Sequence, residues 1–188
     1  MKHKDVSAQN KITVITGLPG TGKSTLLKNK IIPNAAKPLV VVDPNMEYAA
    51  GKGVYVFRLR NYGAAAEEVE SMIKSMLANN INVKTLIVDE SNVVFDKLTL
   101  LPAAKRFVNT LRHIGVDLVC VARRPVDINI TISELARERY IFRVSGVNDI
   151  KRLNEIIAGL GDAAANLQGH DYIYVKDDSR DYKVVKQR

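Results

Sequence analysis

Residues 17–24 have the types and the spacing of a phosphate-binding loop. Its glycines allow backbone N–H groups to turn inward around phosphate oxygens without a Cβ clash. In this pattern Lys23 reaches the β- and γ-phosphates, and the Ser24 hydroxyl is a ligand for Mg²⁺. The motif therefore predicts a site for a nucleoside triphosphate and Mg²⁺. The residues expected to contact the nucleotide are Gly17, Leu18, Pro19, Gly20, Thr21, Gly22, Lys23, Ser24 and Thr25.

The segments on both sides of this loop are the ones that its chemistry requires. The β-branched run at residues 11–16 predicts a short strand, and residues 25–32 predict the start of a helix. A helix N-terminus has free N–H groups and a partial positive charge, so it attracts the same anion. This order of strand, loop and helix argues against the alternative, a chance match in a glycine-rich loop.

Two acids follow an apolar run at residues 84–88. Such a run is typical of a parallel strand that is buried on both faces, and ligands bind at the carboxyl ends of these strands. Asp89 is therefore predicted to complete the Mg²⁺ shell as the Walker B aspartate. Glu90 is predicted to orient or deprotonate the attacking water, which indicates hydrolysis. The alternative is that Glu90 only caps a helix that begins at Ser91 and Asn92.

The charge of the chain suits a polyanionic partner. The 188 residues include 28 Lys and Arg against 20 Asp and Glu, a net charge of +8, and the basic excess lies in residues 1–60 and 91–152. Contacts to phosphates would be independent of sequence and sensitive to salt. General solubility charge is the alternative. The DNA contacts suggested by charge alone, each with a solvated helix face as its alternative, are Lys97, Lys105, Arg106 and Arg112.

Composition argues against several other classes of protein. No apolar run approaches the roughly 18 residues that a membrane span needs. The first residues lack the apolar segment of a signal peptide. The single cysteine, Cys120, is expected to be a small buried hydrophobe in a reducing compartment. Disulfide and zinc sites therefore have no support.

Hydrophobic periodicity predicts one α/β domain at residues 11–188, preceded by a flexible tail at 1–10. Besides the strands already described, apolar runs predict strands at 38–43, 54–58, 116–121 and 139–145. Helices are predicted at 62–80, 102–114, 133–138 and 148–157. Alternating strands and helices predict a three-layer P-loop NTPase sandwich with a mainly parallel central sheet. A C-terminal β-hairpin is predicted at 171–176 and 182–186.

The order of these motifs resembles the HerA/FtsK superfamily of DNA-pumping ATPases over nearly the whole chain, residues 11–186. In size the chain is most similar to the genome-packaging ATPases of tailless, membrane-containing viruses. The resemblance implies an ATP-hydrolysing motor that translocates double-stranded DNA and packages a viral genome into a preformed capsid. Besides the Walker A and B motifs, it rests on Val42-Asp43-Pro44, the Ala-Arg-Arg-Pro-Val-Asp-Ile segment at 122–128, Phe142-Arg143-Val144 and Asn148-Asp149-Ile150.

The resemblance also implies a ring, pentameric or hexameric, in which an arginine of the neighbouring subunit completes each ATP site. Candidates for that arginine are Arg124, Arg137, Arg139 and Arg143, the last with a plain strand-surface charge as its alternative. Arg123 stands where members of the superfamily commonly carry a glutamine that senses the γ-phosphate. Its guanidinium would bind phosphate in that role, face a neighbouring subunit or form a surface salt bridge. The implied catalytic residues are Lys23, Glu90, Arg123, Arg124 and Arg143.

Two other kinds of protein would use the same nucleotide-binding residues. One is a Zot-like or conjugation-type ATPase that drives filament or virion assembly or secretion, with protein as the moved substrate. The other is a small-molecule kinase, although Asp89 and Glu90 fit hydrolysis better. For a packaging motor, the expected location is the host cytoplasm or the virion. Its further partners would be capsid or membrane proteins at a viral vertex.

Overall fold

An eight-stranded sheet forms the centre of the computed structural model, which describes residues 11–79, 81–176 and 181–187. The predicted tail at residues 1–10 lies outside these ranges. In chain order the strands are β1 (Ile12–Thr16), β2 (Leu39–Asp43), β3 (Val54–Arg58), β4 (Thr85–Val88), β5 (Asp117–Ala122), β6 (Ala136–Phe142), β7 (Tyr172–Lys176) and β8 (Lys183–Val185).

The strands are ordered β3-β2-β4-β5-β1-β6-β7-β8. All pairs from β3 to β6 are parallel, whereas β7 runs antiparallel to β6 and β8 antiparallel to β7. The predicted mainly parallel sheet and its C-terminal hairpin are therefore confirmed. The residues that join the two hairpin strands, 177–180, lie outside the described ranges.

Helices cover both faces of the sheet, which confirms the three-layer arrangement. Along β1, Ile12 and Val14 belong to one core and Ile15 to another, because successive side chains of a strand point to opposite faces. No described helix has the length and apolar character needed to cross a membrane. The helices are α1 (Lys23–Leu26), a π-helical stretch (Leu27–Ile31), α2 (Ile32–Asn34), α3 (Ala65–Ala78), α4 (Ser91–Val94), α5 (Pro102–Ile114), α6 (Ile130–Leu135), α7 (Val147–Ile156) and α8 (Leu160–Ala165).

The two faces are filled by different helices. The segment that follows the phosphate-binding loop packs Leu26 and Leu27 against one face. Helices α3 to α6 pack against the other face, where α3 and α5 also contact each other. The first N–H groups of α5 are capped from α3, since the Glu70 carboxylate accepts hydrogen bonds from the backbone of Ala103 at 2.6 Å and Ala104 at 2.9 Å. This contact fixes the two helices relative to each other.

The segment between β5 and β7 differs from the sequence prediction. The helix predicted at 133–138 lies at Ile130–Leu135, because the Asn129 side chain accepts hydrogen bonds from the first backbone N–H groups and starts the helix earlier. The strand predicted at 139–145 accordingly lies at Ala136–Phe142. Helix α8 was not predicted, because glycine disfavours a helix and two glycines, Gly159 and Gly161, stand at its start. A Cβ on Gly161 would lie 2.1 Å from the Ile150 carbonyl oxygen, so this glycine permits close packing of α7 on α8.

Candidate nucleotide-binding and hydrolysis site

The predicted phosphate-binding loop connects β1 to α1 at the carboxyl edge of the sheet. Gly17, Gly20 and Gly22 have φ angles of 146°, 74° and 103°. Side chains of L-residues rarely allow such angles, so the loop needs glycine at these positions. At Gly17 a Cβ would also lie 2.5 Å from the Cβ of Phe142, the last residue of β6. The loop is therefore packed directly against the end of β6.

Polar contacts hold the loop in an open curve. The Lys23 ammonium group donates hydrogen bonds to the carbonyl oxygens of Gly17 at 2.7 Å and Leu18 at 2.8 Å. The Thr21 hydroxyl donates to the Leu18 carbonyl at 2.7 Å, and the Leu18 backbone N–H donates to the Arg143 carbonyl at 2.9 Å. Burial lowers the pKa of Lys23. The lysine thus bridges its own loop where a phosphate oxygen would compete for it.

Asp89 lies directly after β4, with only 6% of its surface exposed. One carboxylate oxygen accepts a hydrogen bond from the Tyr48 hydroxyl at 2.9 Å, and the other accepts from the backbone N–H of Glu90 at 2.9 Å. Burial raises the pKa of Asp89, and these two hydrogen bonds partly offset the rise. The predicted Walker B aspartate is therefore oriented on both of its oxygens.

Tyr48 is a site residue that sequence analysis missed. It reaches Asp89 because Asp43, the last residue of β2, accepts hydrogen bonds from the backbone of Glu47 at 3.0 Å and Tyr48 at 2.9 Å, which folds the intervening turn back. Burial and the charge of Asp89 raise the pKa of Tyr48, and the nearby Ser24 hydroxyl opposes this rise. Tyr48 therefore stays protonated and lies between the two predicted Mg²⁺ ligands. The only signal for it in the sequence is the turn at Pro44 and Asn45.

The residues around Asp89 suit a magnesium ion. In proteins Mg²⁺ is usually held by one or two carboxylates together with phosphate and water oxygens, and here Asp89 and the Ser24 hydroxyl would supply the protein ligands. Within the described ranges, no group of three or more His, Cys, Asp or Glu side chains forms a closed metal cage. When bound, the ion would neutralise charge on the phosphate oxygens.

Removing the Tyr48 hydroxyl tests this arrangement. Tyr48→Phe is expected to raise the Mg²⁺ concentration needed for half-maximal ATP hydrolysis about 10-fold, because residues that orient a metal ligand typically matter at this level. Tyr55→Phe is the matched control, since Tyr55 is exposed on the neighbouring strand β3. The measurement is a Mg²⁺ titration of initial rates. Equal Mg²⁺ requirements in the two variants would show that Tyr48 does not orient Asp89.

Glu90 is held by groups from three other segments. The carboxyl ends of β4 and β5 are adjacent, so Arg123, just after β5, donates two hydrogen bonds to one carboxylate oxygen, from Nε at 3.0 Å and from Nη2. The Tyr62 hydroxyl donates to the other oxygen at 3.3 Å. Burial would raise the pKa of Glu90, but hydrogen bonds from Arg123 and Asn45 outweigh it, so the pKa lies below its usual value. Glu90 is therefore ionised at neutral pH.

The backbone at Glu90 is also unusual. Its φ of 45° lies in the left-handed region, which residues other than glycine adopt rarely. Glu90 precedes α4, yet its side chain makes no capping hydrogen bond to that helix. In this structure the Glu90 side chain therefore does not cap α4 through a hydrogen bond. The side chain instead contacts Arg123, just after β5, and the Tyr62 hydroxyl.

The four arginines predicted as candidates to complete the ATP site of a neighbouring subunit fall into two groups. Arg124 donates to Asp149 at 3.0 Å, and Arg139 is buried and donates to two backbone carbonyls at the junction of α6 and β6. The side chains of both are thus engaged within their own chain. Arg143 is exposed beside the phosphate-binding loop, and Arg137 lies at the opposite end of β6.

The loop after β1 and the paired acids after β4 define a P-loop NTPase fold. In this fold the chain is similar to the genome packaging NTPase B204 from Sulfolobus turreted icosahedral virus 2, in complex with AMPPCP, with a TM-score of 0.81 and 21% identity over 94% of this chain and 97% of that chain. It is also similar to B204, the DNA-packaging ATPase from Sulfolobus turreted icosahedral virus, with a TM-score of 0.78 and 20% identity over 94% and 97%.

A third similar structure is the N-terminal domain of zonular occludens toxin from Neisseria meningitidis, with a TM-score of 0.59 and 18% identity over 96% of both chains. The sequence matches no protein-family model and no curated protein. At these identities the similarity shows the fold. The structures that the chain is similar to include the viral genome-packaging ATPases that the motif order resembles, so the resemblance is confirmed at the level of the fold.

Proposed function

We propose that the chain is an ATP-hydrolysing motor that translocates double-stranded DNA and packages a viral genome into a preformed capsid. The observation that carries this proposal is the fold similarity to B204, which extends over 94% of this chain and 97% of that chain. The P-loop, Asp89 and Glu90 at one edge of the sheet support ATP hydrolysis as the energy source. A ring of subunits and Mg²⁺ belong to the same proposal.

In the proposed chemistry, Lys23 first exchanges its two backbone carbonyl partners for phosphate oxygens of ATP. The β- and γ-phosphates of ATP are stronger acceptors than the two backbone carbonyls that Lys23 contacts in this structure, since hydrogen bonds between charged groups are stronger. Ser24 and Asp89 would hold Mg²⁺ against the same phosphates. Backbone N–H groups of the glycine-rich loop would surround the phosphate oxygens.

The contact between Arg123 and Glu90 would keep the site inactive until ATP binds. In this structure the Arg123 guanidinium holds Glu90, the proposed base. An entering γ-phosphate would compete with Glu90 for the guanidinium, because carboxylate and phosphate are both anions that can present two oxygens to its planar fork. Release of Glu90 would then leave its carboxylate free to accept a proton from the attacking water. Arg123 thus fits the γ-phosphate-sensing role that the superfamily commonly gives to glutamine.

A second candidate function is a Zot-like ATPase that drives filament or virion assembly. The similarity to the zonular occludens toxin domain favours it, although the TM-score of 0.59 is lower than the 0.81 for B204. The ATP site would be the same, and the moved substrate would be protein. In either case we place the chain in the host cytoplasm or the virion, with capsid or membrane proteins as further partners.

Steady-state ATP hydrolysis, with and without long double-stranded DNA across a salt series, tests the proposal. We expect DNA to stimulate hydrolysis, and the stimulation to fade as salt rises, because contacts to phosphates release counterions. Glu90→Gln provides the blank. Hydrolysis that ignores DNA at every salt concentration would favour the assembly ATPase. Transfer of phosphate to a small acceptor without hydrolysis would contradict both functions.

A further inference from the structure

A second pocket lies at the end of the sheet opposite the phosphate-binding loop. The start of β1, the last turns of α5 and the start of β6 line it, and it has a volume of about 340 Å³. The five residues of β1 separate its floor from the loop. At about 3.3 Å per residue they place roughly 16 Å between the two sites. The pocket is therefore separate from the nucleotide site.

This pocket collects positive charge. Lys11, Arg112, His113 and Arg137 line it, and none of its lining residues carries a carboxylate. The Lys11 ammonium group donates to Glu138 at 2.7 Å, so its charge is paired. The ion pairs found among the described residues do not include Arg112, His113 or Arg137. Two guanidinium groups thus share one concave surface without a carboxylate partner in the described part of the chain.

Helix electrostatics explains only part of this cluster. Cations stabilise the C-terminal end of a helix, which accounts for Arg112 and His113 in the last turn of α5. It does not account for Arg137, which belongs to β6 and lines the same cavity. The rest of the lining is mostly apolar, and a surface of low polarity strengthens the attraction between charges. The apolar lining residues are Ile12, Val108, Leu111 and Leu135.

We propose that this pocket binds phosphate groups of a nucleic-acid backbone, with Arg112 and Arg137 as their ligands. The planar fork of a guanidinium matches two phosphate oxygens, and the Asn109 amide lies beside it as a further polar group. Contacts to phosphate groups carry no sequence information, so binding would not depend on sequence. The inference rests on the proposed DNA-translocating function and gives it a place of contact.

Strand β3 offers a matched control. Arg58, its last residue, and Arg60 are exposed and do not belong to the lining of this pocket. Replacing both by alanine removes the same number of guanidinium groups but leaves the proposed pocket intact. A comparison of the two double variants therefore separates a specific site from general positive charge.

The experiment measures binding of a fluorescently labelled DNA duplex by anisotropy, across a salt series. Relative to the unaltered protein, the Arg112→Ala, Arg137→Ala double variant is expected to bind at least about 10-fold more weakly, with a salt slope reduced by about two contacts. The Arg58→Ala, Arg60→Ala variant is expected to change affinity by less than about threefold. The Arg112→Lys, Arg137→Lys double variant is expected to keep the salt slope but recover only part of the affinity. Thermal unfolding checks that each variant is folded.

The following results would each contradict the proposal that this pocket binds DNA phosphates. Equal weakening in the two alanine variants would mean that charge alone matters, and unchanged DNA affinity without Arg112 and Arg137 would exclude the pocket. If the unaltered protein bound two ATP per chain and the Arg112→Ala, Arg137→Ala double variant bound one, at unchanged DNA affinity, the pocket would be a second nucleotide site. If the unaltered protein neither binds DNA nor responds to it in hydrolysis, the proposed function fails together with this inference. DNA-stimulated hydrolysis with an unaffected double variant would remove only the inference.

Discussion

Replacing Glu90 by glutamine is expected to lower kcat for ATP hydrolysis about 10²–10⁴-fold, the usual contribution of a general base. Glutamine keeps the size and the hydrogen-bonding capacity of the side chain but cannot accept a proton from water. The site holds Glu90 ionised, since the pKa of this carboxyl lies below its usual value despite burial. The loss should therefore appear in kcat and not in the affinity for ATP. Single-turnover hydrolysis and binding of a non-hydrolysable ATP analogue measure the two quantities separately.

Glu47→Gln is the matched control for this variant. Glu47 is an exposed carboxylate in the turn that ends at Tyr48, and it makes only a surface ion pair with Lys28 at 3.7 Å. Such pairs contribute little. A similar fall of kcat in both variants would mean that negative charge near the site matters, without a base at Glu90. Hydrolysis by Glu90→Gln at the unaltered rate would assign proton transfer elsewhere.

Replacing Lys23 by alanine is expected to weaken ATP binding about 100-fold. A hydrogen bond to a charged group contributes about 1.5–3 kcal/mol, and about 1.4 kcal/mol corresponds to a factor of ten. Hydrogen bonds to the β- and γ-phosphates would together contribute about 3–6 kcal/mol. Because Lys23 gives up hydrogen bonds to two carbonyls when it binds phosphate, we take the lower end of this range. Isothermal titration calorimetry with a non-hydrolysable ATP analogue gives the dissociation constants.

Lys28→Ala serves as the control for the lysine variant. Lys28 lies one turn further along the same helical segment, is exposed and pairs with Glu47 at the surface. The Lys28→Ala substitution removes one positive charge near the site without changing the phosphate-binding loop. Equal losses of affinity in the two variants would contradict a direct contact between Lys23 and the phosphates, because only long-range charge would then be acting.

The parts of the site that sequence predicts correctly are those encoded by neighbours in the chain. The strand, loop and helix around residues 17–24 form a local pattern with a fixed spacing, and helix α5 has the predicted bounds because Pro102 starts it and Gly115 ends it. The apolar run before Asp89 likewise predicts β4. Local chemistry is sufficient for these elements.

The contacts that complete the site join residues far apart in the chain. Tyr48 contacts Asp89 across 41 positions, and Arg123 contacts Glu90 across 33 positions. No spacing rule connects such residues, since their meeting depends on the order of strands in the sheet. The same holds for the arginines proposed to act on a neighbouring subunit. Only the fold shows that Arg139 is buried and held by backbone carbonyls.

Strand β6 extends from the phosphate-binding loop to the basic pocket. Its last residue, Phe142, is in contact with Gly17, and its second residue, Arg137, lines the basic pocket. Residues 138–141 of β6 are paired with β1 on one side and with β7 on the other, whereas the pairing with β1 is irregular at Arg137. A displacement of the loop on phosphate binding would therefore move the doubly paired part of β6 as a unit. The irregular pairing at Arg137 is the point at which the far pocket would respond to it.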